Sequence, residues 1–167
     1  MGYTTEFQGA FQVEPALEQS HVKYLQAFAN SRRMKRDKSI CRKMPDPIRE
    51  AVGLAVGPEG CYFVGGQGFK GQERDKSVVE GNQPPAGQPG LWCKWEPTDD
   101  GNQIEWNGAE KFYDYIEWIE YLIKHFLVPG GYVLNGDVMW QGEEIGDVGM
   151  IQIVDNIVDI KRMSWQY

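Results

Sequence analysis

The 167-residue chain has little of what most catalytic and metal sites are built from. It carries two histidines, His21 and His125, and three well-separated cysteines, Cys41, Cys61 and Cys93, with no C-x-x-C pair and no histidine at ligand spacing. A disulfide framework and a structural zinc site are both disfavoured. No apolar run approaches the about eighteen residues of a membrane-spanning helix. Residues 1–6, Met-Gly-Tyr-Thr-Thr-Glu, lack the charged end and apolar stretch of a secretory leader. The expectation is a soluble, cytoplasmic protein. Positive charge is also short: 17 Lys and Arg against 24 Asp and Glu leave a net charge of −7. That argues against a general DNA or RNA coat, whose affinity comes from many cationic contacts to phosphate.

What is present suffices for a globular core. With 41% hydrophobic and 13% aromatic residues, a chain of this size buries roughly two thirds of its unfolded surface. One domain spanning 1–167 is expected, interrupted by an irregular Gly/Pro-rich stretch at 65–90.

The scarce positive charge is concentrated. Arg32, Arg33, Lys35, Arg36, Lys38, Arg42 and Lys43 face a single acid, Asp37, between residues 32 and 43. The other 155 residues then sum to −13, since −7 minus +6 is −13. A local field of opposite sign suits an anionic ligand; it also describes a solvated face.

Periodicity outlines the elements. Tyr3, Thr5, Phe7, Phe11 and Val13 alternate with polar residues as in a half-buried strand. Leu17, Val22, Leu25 and Phe28 recur at helical spacing from 16 to about 33, so the basic run begins on that helix's last turn. Residues 48–56 suit a short helical turn, and 61–64 read as a strand running into a glycine-rich loop. Residues 91–95 and 104–106 flank an Asp-Gly turn, and 109–127 form a strongly apolar helix. A strand over 132–140 and a hairpin of 150–154 with 157–161 complete the chain. The fold class expected is α+β, a mainly antiparallel sheet with two main helices on one face, compatible with a ferredoxin-like core plus a C-terminal hairpin.

The runs Tyr3-Thr-Thr-Glu-Phe-Gln-Gly9, Arg32-Arg-Met-Lys-Arg36, Tyr62-Phe-Val-Gly-Gly66, Pro89-Gly-Leu-Trp-Cys-Lys-Trp95, Gly131-Tyr-Val-Leu-Asn-Gly136 and Trp140-Gln-Gly142 span nearly the whole chain. As a set they resemble a family of small uncharacterised proteins from bacteria and their phages. The resemblance implies no reaction and no catalytic residues; for a phage-encoded member it invites a counter-defence role.

Candidate sites follow from chemistry. Arg32, Arg33, Lys35 and Arg36 suit a phosphate clamp, because a guanidinium's planar fork meets two oxygens at once. Gly65, Gly66, Phe69, Lys70 and Arg74 lie in a loop whose N–H groups could face an anion, although it matches neither the Walker spacing nor the dinucleotide fingerprint. Trp92 and Trp95 could stack on a base. Glu110, Asp114, Glu117 and Glu120 follow one another at three- and four-residue steps. Glu143, Glu144 and Asp147 crowd a hairpin loop where a hard cation could be held loosely. Neither histidine has a convincing serine or cysteine partner.

These residues favour a non-catalytic binding module for a small phosphorylated ligand, a nucleotide or signalling nucleotide. The alternative is a protein-interaction or inhibitor module docking its basic face on an acidic partner; a third reading is a phosphoesterase. No cofactor and no metal are expected, and a homo-oligomer remains open.

Overall fold

The computed structural model describes residues 2–65 and 75–163. They fall into two compact units, Met1–Leu17 with Lys94–Tyr167, and Glu18–Cys93.

In the first unit the opening alternation makes two strands rather than one. β1 (Thr5–Gly9) and β2 (Phe11–Glu14) each bury alternate residues. Gly9 between them has φ +102°, and a Cβ there would lie 2.8 Å from the Asp137 carbonyl oxygen, so a side chain would break the step from one strand to the next. Both strands pair antiparallel with one long strand, β7 (Val133–Gly142): β1 along 138–142, β2 along 133–135. The rest of the sheet comprises β5 (Trp95–Pro97), β6 (Gln103–Trp106), β8 (Val148–Val154) and β9 (Ile157–Arg162), in the order β5-β6-β2-β7-β8-β9.

The α+β class and the antiparallel sheet are as expected. Among the described residues every strand pairing in this sheet is antiparallel. The predicted C-terminal hairpin is present. Asp155 and Asn156 turn it with φ of +47° and +68°, the two left-handed residues of a type I′ turn.

The helix expected over 109–127 is shorter. α4 (Tyr115–Leu122) continues into a π turn at Ile123–Leu127, but residues 107–114 are irregular. Side-chain bonds hold them so: Trp106 Nε1 donates to the Ala109 carbonyl at 3.0 Å, and Lys94 Nζ, sixteen residues away, donates to the Glu110 and Lys111 carbonyls. Lys111 and Asp114 take left-handed φ values of +62° and +57°, which no helix tolerates. This segment delivers Phe112 to an aromatic core centred on Phe7. The rings of Trp95, Trp106, Phe112 and Tyr115 lie 5.0 to 5.7 Å from it, in tilted and edge-on arrangements.

In the second unit, α1 (Gln19–Ala29) turns Val22, Leu25 and Phe28 inward as its spacing predicts. It stops before the basic run: Asn30 Nδ2 donates back to the Gln26 carbonyl and Ser31 Oγ to that of Ala27. The chain then extends as β3 (Lys35–Arg36), pairing antiparallel with β4 (Val78–Glu80). α2 (Lys38–Cys41) is capped by Asp37, whose Oδ1 accepts from Ser39 N and Ile40 N. α3 (Pro47–Glu50) starts the short helical turn expected after residue 47.

The strand predicted at 61–64 is instead a turn, with Tyr62 N bonded to Val56 O and Phe63 N to Gly60 O. It drops Phe63 against Cys41, Val56 and Met44. Cys41, Cys61 and Cys93 are all buried, and burial pushes the pKa of the Cys41 thiol up. Among the described residues no helix is long and apolar enough to cross a membrane.

Candidate functional site

The basic segment divides into an internal frame and an exposed remainder. Just past α1, Arg33 is 1% exposed. Its Nη2 donates to the Phe63 carbonyl at 2.5 Å and to that of Cys61 at 3.3 Å, and its guanidinium lies 4.4 Å over the Phe28 ring. Its own N–H bonds Leu91 O at 2.7 Å. Arg36, equally buried, donates from Nη1 to Asp75 Oδ2 at 3.0 Å and to Ser77 Oγ at 2.6 Å, while its guanidinium covers Phe63 at 4.5 Å. The two arginines thus meet at Phe63, one on its carbonyl and the other on its ring. Burial raises the pKa of Asp75, but the bonds from Ser77 and Arg36 and the cation beside it outweigh burial and leave it below the usual range.

A third arginine repeats the device. Arg49 Nε donates to Asp46 Oδ2 at 3.0 Å and its Nη1 to the Leu54 carbonyl, and Val64 N also donates to Asp46 Oδ2. Here the guanidinium joins neighbouring turns, whereas Arg33 and Arg36 reach segments distant in sequence; in each case it offers several fixed donors to oxygens that no ladder satisfies.

Arg33 and Arg36, expected in a phosphate clamp, are instead buried, and Arg33 Nη2 and Arg36 Nη1 are bonded to protein oxygens within the fold. Arg32 and Lys35 are half-buried. Arg32 bonds Gly81 O at 2.9 Å and Asn82 Oδ1 at 3.0 Å; Lys35 lies 3.7 Å from Glu59. Lys38, Arg42 and Lys43 are exposed.

Gly65 is described, with φ +75°, whereas Gly66, Phe69, Lys70 and Arg74 lie outside the described residues. Trp92 is half-buried in the second unit. Trp95 belongs to the first, where it is 1% exposed and donates from Nε1 to the Tyr115 carbonyl at 2.8 Å, so no face is open for a base. Asp46, Arg49, Asp75, Ser77 and Gln88, whose Nε2 bonds Cys61 O at 2.6 Å, were not anticipated. The Pro-Asp-Pro run reads only as a helix breaker, and a buried pair leaves no periodic signal.

The acidic candidates are also redistributed. Glu110 and Asp114 precede α4, so the four carboxylates do not form one helical stripe. His125 stacks on Tyr121 at 4.1 Å, and burial, with Lys124 beside it, lowers its pKa. In the loop between β7 and β8, Asp147 accepts from Tyr3 Oη at 2.6 Å and from Trp140 Nε1 at 3.0 Å, and Glu143 accepts from Thr4 N. This clasps the amino-terminal segment to the hairpin. Among the described residues, no three His, Cys, Asp or Glu are placed to share a metal ion.

The clasp makes a pH prediction. Bonds from Tyr3 and Trp140 to the ionised form hold Asp147 below the usual carboxylate range. A depressed folded-state pKa contributes stability that is complete above the unfolded value, about 4, and is lost as pH falls through the folded one. The melting-temperature gap between wild type and Asp147→Asn is therefore expected to be constant near neutrality and to narrow below about pH 4. A gap unchanged down to about pH 2 would refute the clasp.

Compared with protein-family models, curated proteins and solved structures, the chain matches none.

Proposed function

We propose that this chain is a non-catalytic binding module that docks on an acidic protein surface through Lys38, Arg42 and Lys43, flanked by Arg32 and Lys35. The observation behind this reading is the division of the basic segment. Its two buried arginines brace the fold, and the cations left at the surface are spread along an open stretch around a four-residue helix. Lysines on long stems suit a wide anionic surface, where charge sets encounter rate and orientation.

A small phosphorylated ligand is the second reading. It is supported by the bond from Arg33 N to Leu91 O, which brings the stretch carrying Trp92 alongside Arg32.

Gentle purification followed by chemical cross-linking and mass spectrometry separates the two. Docking predicts a polypeptide linked at Lys38 or Lys43, lost at high salt and in a Lys38→Glu/Arg42→Glu/Lys43→Glu variant that remains folded. A nucleotide retained by wild type and unaffected by those changes would reject docking in favour of the second reading. Cross-links that survive the charge reversal would remove this face from the interface.

A further inference from the structure

We propose that β9 is a self-pairing edge through which two copies of this chain associate, antiparallel about Ile160. β9 ends the sheet, and among the described residues no strand pairs with its outer side. Its register against β8 runs from Val154↔Ile157 to Gly149↔Arg162, and Met163 N continues it to Val148 O at 2.9 Å. Hydrogen-bonded and open positions alternate along an antiparallel strand. Ile157, Asp159 and Lys161 thus direct their N–H and C=O groups to β8, and Val158, Ile160 and Arg162 direct theirs outward.

The strand is held in place. Its turn is fastened to the β7 end: Asn156 N bonds Leu134 O at 3.0 Å, Asn156 Oδ1 accepts from Leu134 N, and Asn156 Nδ2 donates to Tyr132 O. A strand already fixed loses little conformational freedom on association. It is also apolar for an edge, with Ile157 72% and Ile160 42% exposed.

Charge selects the register. With Ile160 opposite Ile160 of the second copy, Val158 meets Arg162, and all three outward-facing positions exchange backbone bonds once Asp159 Oδ1, which accepts from Ile160 N at 2.9 Å within the chain, turns to Lys161 of the second copy. On the outer face, exposed Asp159 then lies directly against Lys161 of the other chain, twice by symmetry. On the inner face, Ile160 registers with buried Ile151, which registers with Val138. The apolar row Val138-Ile151-Ile160 therefore continues into the second copy. Sliding by two residues sets Asp159 against Asp159 or Lys161 against Lys161, and like charges directly opposite are unfavourable. The charges that blunt the edge against indiscriminate pairing admit this one alignment.

A contact of one short strand per copy belongs below roughly 1,200 Å², among weak interfaces. Sedimentation of the full chain from ~5 µM to ~1 mM is expected to show a reversible monomer–dimer equilibrium. Asp159→Lys alone, placing lysine against lysine, is expected to weaken the dimer at least about tenfold. The swap Asp159→Lys/Lys161→Asp restores the opposite-charge pairs and is expected to recover it. Both positions are exposed, so these variants fold, which circular dichroism verifies. A wild type monomeric throughout, a dimer indifferent to Asp159→Lys, or a double swap that fails to recover association would each overturn the proposal.

Discussion

Replacing Arg33 with alanine is expected to bring the second unit close to unfolding. The side chain is buried, bonded to the Cys61 and Phe63 carbonyls and packed over Phe28. Hydrogen bonds involving a charged group contribute about 1.5–3 kcal/mol each, so losing two costs about 3–6 kcal/mol before the lost packing is counted. Total stability of a domain is only about 5–15 kcal/mol, so the loss is a large share of it. The urea midpoint, followed by circular dichroism, should fall accordingly. Arg33→Lys should recover only part of the loss, since an ammonium can donate to the carbonyls but lacks the planar guanidinium that packs over the Phe28 ring. Lys38→Ala, at an exposed position, should stay within about 0.5 kcal/mol of wild type. A wild-type midpoint for Arg33→Ala would show that this side chain is no brace and would reopen its role as a ligand clamp.

Trp95→Ala is expected to have the largest effect in the first unit. Trp95 touches Phe7, Phe11 and Phe112 at centroid distances of 5.2 to 5.5 Å. Removing a buried aromatic of this size costs about 3–5 kcal/mol, because the rings around it cannot collapse into the space. Trp95→Phe keeps much of the packing and loses the bond to the Tyr115 carbonyl, a smaller cost of about 1–3 kcal/mol for the oxygen left unpaired. Calorimetry distinguishes the two variants. If Trp95→Ala melted with wild type while ligand binding vanished, Trp95 would be a stacking platform after all.

Several features were legible because they are local. The alternation of Phe7, Phe11 and Val13, the helical spacing of Val22, Leu25 and Phe28, and the Asp155-Asn156 turn each report a backbone period or a left-handed preference carried by neighbouring residues. Where prediction and structure part, a side chain from outside the segment intervenes. Residues 109–114 have the composition of a helix but are held out of it by Trp106 and Lys94. Residues 61–64 have that of a strand, yet their carbonyls are taken by Arg33 and Gln88.

The basic segment shows the division most clearly. That seven cations cluster within residues 32–43 of an acidic chain, and that the fold is an antiparallel α+β one, follows from the order of the residues. Which of those cations face solvent depends on contacts far apart along the chain. Charge is a property of the side chain, whereas burial depends on which carbonyls and carboxylates the fold brings within about 3 Å of it. For Arg33 these are Cys61 and Phe63, for Arg36 they are Asp75 and Ser77, and all four lie some thirty to forty residues away along the chain.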